Sequence, residues 1–159
     1  FAVWRDRQAP DLERVFTQIS DYTKGLFGDK SPALVCEPGR AMVASAFTLA
    51  TQIKALRGLR TVFLNDGIYG FLSEFRDLGV SQRYQVWRAG IKLTDPSAAY
   101  TAFGPTCDSI DQLPSPLHLP KSVQEGDYLL FSEIGAYSLS LATTFNGYGA
   151  CEIIAVTDL

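Results

Sequence analysis

A change of sequence texture near Gly58 constrains the fold of this chain most strongly. Beyond it, short runs rich in Val, Phe, Tyr, Leu and Thr alternate with turn signals such as the tripeptide 65–67, Asn-Asp-Gly. Runs of this kind predict β-strands. The predicted strands cover residues 61–64, 83–87, 128–132, 138–144 and 152–156. Most of the chain is therefore expected to form an antiparallel β domain of sandwich or Greek-key-like type.

The residues before this change predict a different architecture. Apolar residues recur at helical spacing over 11–24, with Asp11 suited to the start of a helix and Gly25 to its end. The apolar run 33–36 is typical of a strand buried on both faces, and 41–49 predicts a helical turn or two. Helix, strand and helix in this order indicate a parallel α/β unit.

Composition excludes several classes of function. The chain has 159 residues, a net charge of -3 and a pI of about 5.1, which does not favour nucleic acid as a partner. No apolar run approaches the ~18 residues that a membrane span needs. His118 is the one histidine, so a Ser-His-Asp triad or a histidine-based zinc site is not expected. The cysteines, Cys36, Cys107 and Cys151, are widely spaced, which favours free thiols in a reducing compartment.

A candidate anion site follows the predicted buried strand. Ligands of α/β sheets gather at the carboxyl ends of strands, where Glu37, Pro38, Gly39 and Arg40 lie. Gly39 would let backbone amides approach an anion, and Arg40 would add positive charge. The alternative is a strand-to-helix turn whose charged side chains face solvent.

Two further segments carry candidate chemistry. Cys107 lies in the polar segment 104–111, where a thiol could act as nucleophile, proton donor or metal ligand, or could be a passive group in a turn. Tyr137 precedes an Asn-Gly turn at 146–147, and its hydroxyl could donate to a phosphate. The alternative for Tyr137 is an ordinary residue at the edge of a strand.

Five segments in order identify a family resemblance that covers essentially the whole chain. They are CEPGR followed by VASAFTLA, then LNDGIYG, GPTCDSID, GDYLLFSEIGAYS and TTFNGYG. This pattern resembles the ornithine decarboxylase family of barrel-type, pyridoxal-phosphate-dependent decarboxylases, which also includes lysine, arginine and diaminopimelate enzymes. The resemblance implies that residues 1–47 are the last helix-strand-helix piece of a (β/α)8 barrel and that 48–159 form the C-terminal β domain.

The resemblance also implies cofactor contacts. Glu37 matches the carboxylate that pairs with the pyridine nitrogen of pyridoxal 5'-phosphate, which keeps that nitrogen protonated. Gly39 and Arg40 match part of the phosphate cradle, and Tyr137 matches a further phosphate donor. The family's cofactor-binding lysine has no counterpart here, so the chain is interpreted as a truncated sequence that is inactive alone.

Substrate roles are implied in the same way. Cys107 matches the catalytic cysteine that helps to reprotonate the α-carbon, and an ordinary thiol keeps its proton at neutral pH. Asp108 matches the carboxylate that meets the distal amino group of the substrate. Glu74 is the nearest match to a second acidic residue for that amine, with Asp77 three residues on. In the family Cys107 and Asp108 reach into the partner's site, which implies an obligate homodimer.

The expected activity of the full-length parent is decarboxylation of ornithine, or of lysine, to a diamine such as putrescine in polyamine biosynthesis, in the cytoplasm. The pair Cys107-Asp108 favours a substrate with a free distal amine, since diaminopimelate enzymes favour glutamate after the cysteine. The alternative is a non-catalytic regulatory homologue. An independent β-domain binding module is a third hypothesis, which the helix-strand-helix piece disfavours.

Overall fold

The computed structural model describes residues 10–78 and 83–157, and chain contacts divide it into two units, 1–42 and 43–159. The domain assignment at residues 47 and 48 stays a prediction. The first unit contains helix α1 (Leu12–Phe27), a 3-10 turn (Gly28–Lys30) and most of α2 (Gly39–Val43). Asp11 caps α1 as predicted by accepting the Arg14 amide at 3.0 Å. The helix continues past Gly25, however, and ends at Phe27, with Gly28 as its C-cap.

The predicted buried strand over 33–36 is not formed among the described residues. This segment is irregular, and Leu34 and Val35 are 55% and 88% exposed. A strand needs hydrogen-bonded neighbours, and the described part of the first unit contains no other strand. The barrel interpretation of this piece therefore stays a proposal.

The second unit is built around one curled, mixed sheet of seven strands in its described residues. The order across the sheet is β4-β3-β7-β1-β2-β5-β6. The strands are β1 (Leu49–Arg57), β2 (Thr61–Leu64), β3 (Tyr84–Arg88), β4 (Ile91–Lys92), β5 (Ser97–Phe103), β6 (Leu117–Pro120) and β7 (Tyr128–Phe131). Neighbours are antiparallel except β2 and β5, which are parallel, so the expected purely antiparallel arrangement is wrong at that pair.

Short helical elements complete the unit, and two of the predicted strands are not formed in it. These elements are a 3-10 turn (Ala44–Ala46), α3 (Phe75–Leu78), α4 (Ser138–Leu141) and a second 3-10 turn (Phe145–Gly147). The segment 138–144 is predicted as a strand because its Leu and Thr residues are typical of strands. Instead, Tyr137 turns the chain with a φ of 65°, and the Ala142 amide donates to the Ser138 carbonyl in a helical turn. Residues 152–156 are exposed and irregular, so the strand predicted there is also not formed.

Alternating side chains of the strands build the core. Ile53 of β1, Leu129 and Phe131 of β7, and Leu117 and Leu119 of β6 are fully buried. This period of two is what one buried sheet face requires. Burying each such side chain contributes about 1.5–3 kcal/mol to stability. The sheet therefore holds the loops at the ends of its strands in fixed positions.

Candidate functional site

A fully buried carboxylate organises the loops around the candidate catalytic segment. Asp111 is 1% exposed. One of its oxygens accepts the Ile68 amide at 3.0 Å, and the other accepts the Thr106 amide at 3.1 Å and the Thr106 hydroxyl at 2.7 Å. The Gly104 amide donates to its main-chain carbonyl at 2.7 Å. Asp111 thereby ties the loop after β2 to the loop after β5, on which Cys107 and Asp108 lie.

Two glycines make room for this carboxylate. A Cβ at Gly67 or at Gly104 would overlap the side chain of Asp111. Gly67 belongs to the motif LNDGIYG and Gly104 opens the motif GPTCDSID. The close approach of backbone to carboxylate explains physically why both segments need glycine at these positions.

Asp108 is held by two donors in the same cluster. Its carboxylate accepts the Ile110 amide at 3.0 Å and the Tyr69 hydroxyl at 2.6 Å. These bonds, the Ile110 amide foremost, lower the pKa of Asp108 below its usual range. The same bond raises the pKa of Tyr69, because it holds the hydroxyl proton against an anion. Asp108 is therefore a fixed, ionised carboxylate, as recognition of an ammonium group requires.

Cys107 is exposed beside Asp108, and its thiol is free. The Asn146 side-chain amide lies 3.5 Å from its sulfur, and the ring of Phe145 stacks on Tyr69 with centroids 4.4 Å apart. The structure thus brings the segments GPTCDSID, LNDGIYG and TTFNGYG together. A small cavity next to this cluster has Tyr69, Thr106, Asp111 and Phe145 among its lining residues.

Asp66 also lines this cavity, and it is half-buried. Burial raises its pKa to about 6, against the opposing effect of the Phe71 amide, which donates to it at 3.0 Å. The negative charge of Asp111 adds to the rise. Asp66 consequently titrates closer to neutrality than an ordinary aspartate does.

The remaining predicted site residues lie elsewhere, and their assigned roles stay predictions. Glu37 and Gly39 are exposed and Arg40 is half-buried in the first unit, around the start of α2. Tyr137 is 54% exposed and is the N-cap residue directly before α4 in the second unit. Glu74 is half-buried directly before α3.

The second acidic candidate of that segment, Asp77, is exposed and pairs with Arg76 at 3.2 Å. The described residues contain no group of three or more potential metal ligands. No described helix is long and apolar enough to cross a membrane.

Sequence reasoning missed three of the residues that build this cluster. In the sequence, Tyr69 and Asn146 stand out only as parts of motifs, and Asp111 only as the end of a polar segment. Gly67 and Gly104 are the only sequence signal for Asp111, because glycine permits a close backbone approach, but it equally serves ordinary turns. Which side chain they approach depends on tertiary structure.

Comparisons with known proteins show the family of this chain. The family described as "Pyridoxal-dependent decarboxylase, C-terminal sheet domain" matches residues 15–135. Ornithine decarboxylase of Schizosaccharomyces pombe is 33% identical over 143 residues, which cover 82% of this chain and 33% of that protein. Antizyme inhibitor 2 of Xenopus laevis is 30% identical over 156 residues, which cover 87% of this chain and 31% of that protein.

A solved structure shows the same relationship. Lysine/ornithine decarboxylase from Vibrio vulnificus, complexed with cadaverine, matches 99% of this chain and 42% of its own, with a TM-score of 0.74 and 28% identity. The chain spans about a third of the length of the curated relatives it matches. The family match, the fold and the order of the motifs lead to one conclusion: this chain belongs to the ornithine decarboxylase family of pyridoxal-dependent decarboxylases and corresponds to its C-terminal portion.

Proposed function

We propose that the longer protein represented by this chain decarboxylates a diamino acid, ornithine or lysine, to the corresponding diamine, such as putrescine. The observation that supports this most directly is the adjacent pair Cys107 and Asp108. Asp108 is kept anionic by the Tyr69 hydroxyl and the Ile110 amide, so it suits a distal ammonium group. Cys107 is an exposed thiol one residue away, where it can give a proton to the α-carbon.

The donor set of the chain fits pyridoxal phosphate chemically. Glu37 supplies a carboxylate for the ring nitrogen, while Arg40 and Tyr137 supply a guanidinium and a phenol for the phosphate. When bound, the cofactor supplies an electron-accepting ring for the electron pair left by departing carbon dioxide. Glu37 would hold the ring-nitrogen proton in place, and Gly39 would let the main chain approach the phosphate.

The assembly and location are part of the same proposal. Residues 1–47 would complete the cofactor-binding barrel, and 48–159 would form the sheet domain. Cys107 and Asp108 would complete the site of a second subunit, so the enzyme would be a homodimer. Exposed free thiols at Cys36, Cys107 and Cys151 are consistent with a cytoplasmic protein.

Substrate profiling of the full-length parent tests this function. Its kcat/KM should be highest for ornithine or lysine among ornithine, lysine and arginine. It should be far lower for norvaline, an amino acid that lacks the distal amine. Asp108→Asn should lower kcat/KM for the diamino acid about 100-fold while leaving norvaline turnover little changed. A wild-type enzyme that used norvaline as well as ornithine would contradict the proposal.

A non-catalytic regulatory homologue is the second candidate. The similarity to antizyme inhibitor 2 favours it. The retained set of functional residues opposes it, because a decoy has no need of them. They are Glu37, Gly39, Arg40, Cys107, Asp108 and Tyr137. A parent that releases no carbon dioxide from any of the three amino acids would support this candidate.

A further inference from the structure

We propose that Asn146 is a positioning residue that orients the Cys107 sulfur and stabilises its thiolate form. This inference rests on the proposed function, because it concerns the proton that Cys107 gives to the α-carbon. It adds a residue to the site from outside the loop that carries Cys107.

The turn that carries Asn146 is anchored to the site from several directions. The Thr143 amide and hydroxyl both donate to the Tyr69 carbonyl, at 2.9 and 2.8 Å. The Phe145 amide lies 3.3 Å from the Thr143 hydroxyl, and the Phe145 ring stacks on Tyr69. Since Tyr69 also holds Asp108, the turn is fixed relative to the loop of Cys107.

Asn146 occupies a backbone conformation that few other side chains with an amide donor could adopt. Its φ of 53° and ψ of 25° place it in the left-handed region, which asparagine tolerates better than most other side chains. The side-chain nitrogen reaches the Cys107 sulfur at 3.5 Å, so its N–H donates along this contact. Asn146 can donate to the Cys107 sulfur because its side chain is an amide. The isosteric carboxylate of aspartate has no N–H at that position.

The contact has a defined effect on the proton transfer. The S–H bond of Cys107 breaks, a C–H bond forms at the α-carbon of the decarboxylated substrate, and the S–H electron pair remains on sulfur. The Asn146 N–H then faces a thiolate, to which it donates more strongly than to a neutral thiol. Water from solvent returns the proton to sulfur before the next turnover.

Two variants of the full-length parent separate the amide from the backbone turn. Asn146→Gly keeps a left-handed turn without a side chain, and Asn146→Asp keeps the shape without the donor. Alkylation of Cys107 by iodoacetamide at pH 7.5, read by peptide mass spectrometry, should slow about fivefold in Asn146→Gly and more in Asn146→Asp. Cys36 and Cys151 serve as internal references in the same digest, and Gln85→Ala, which removes an exposed amide on β3, should behave as wild type.

Steady-state kinetics give the second readout. In Asn146→Gly, kcat should fall about fivefold with KM little changed, because the contact acts on proton transfer and not on binding of the distal amine. If the parent is active and Cys107 alkylates at the wild-type rate in both variants, the role proposed for Asn146 is overturned, and the proposed function is not affected. A wild-type parent without any decarboxylase activity would instead overturn the proposed function.

Discussion

Removing the Asp111 carboxylate should destabilise the sheet domain and free the loop that carries Cys107 and Asp108. In Asp111→Ala the Ile68 and Thr106 amides and the Thr106 hydroxyl lose their acceptor. These groups lie around a residue that is 1% exposed, so water replaces the lost acceptor poorly. The variant therefore leaves donors unsatisfied in a dry environment.

The magnitude follows from these donors. Each of the two amides left without an acceptor costs about 1–3 kcal/mol, and relief from burying a charge offsets part of the sum. We expect Asp111→Ala to lower the free energy of unfolding by about 3 kcal/mol. Asp111→Asn keeps one carbonyl oxygen as an acceptor and should lose about half as much.

Urea unfolding of the full-length parent and its variants, monitored by circular dichroism, measures this loss in the free energy of unfolding. Asp95→Ala is the control, because Asp95 accepts an amide and a hydroxyl from Ser122, as Asp111 does from Thr106, but is more exposed. Its effect should be less than about a third of that of Asp111→Ala, since water reaches the half-buried Asp95 carboxylate more easily than the buried Asp111 carboxylate. Equal effects of the two variants would refute the reasoning that burial makes Asp111 the organising group.

Three further predictions concern other parts of the sheet domain. Gly135→Ala should destabilise it by more than ~1 kcal/mol in urea titrations, because the new Cβ would overlap the Val43 carbonyl. Burial raises the pKa of Asp66 to about 6, so the contribution of its protonated form to stability is complete below pH ~4 and is lost as pH rises through 6. Between pH 7 and pH 5 the free energy of unfolding of the wild type should therefore rise, relative to that of Asp66→Asn, by on the order of 1 kcal/mol in the same titrations. Tyr69→Phe removes a 2.6 Å bond to Asp108 and should raise KM for the diamino acid by about tenfold with a smaller change in kcat in steady-state assays.

Local patterns predicted the elements whose stability is local. Helix α1 was predicted because its apolar spacing and its Asp11 cap are properties of adjacent residues. The segment 138–144 has the alternation of a strand, but the left-handed residue Tyr137 redirects the chain into α4. Strand β6 is not predicted from the sequence, because Pro116 precedes it and Pro120 is its last residue. It is accommodated because it forms an edge of the sheet, where missing amide donors are tolerated.

The site residues also differ in whether the sequence alone could identify them. Cys107 and Asp108 could be chosen from the sequence because their motif is contiguous. The bond between Tyr69 and Asp108 joins residues 39 positions apart, and the contact between Asn146 and Cys107 spans the same separation. No local pattern specifies such pairs. They depend on how the sheet brings together the loops that follow its strands.

A complementation assay tests the central claim most directly. The claim is that this chain supplies Glu37 to the site of its own subunit and Asp108 to that of a partner. In the full-length parent, Glu37→Ala and Asp108→Ala should each be nearly inactive as homodimers. Random exchange of subunits makes half of the dimers mixed, with one Glu37→Ala subunit and one Asp108→Ala subunit. Each mixed dimer has one intact site, formed by Glu37 of one subunit and Asp108 of the other. After a 1:1 mixture is unfolded and refolded together, the account predicts about a quarter of wild-type decarboxylation per subunit. Activity no higher than the mean of the two separate variants would contradict it.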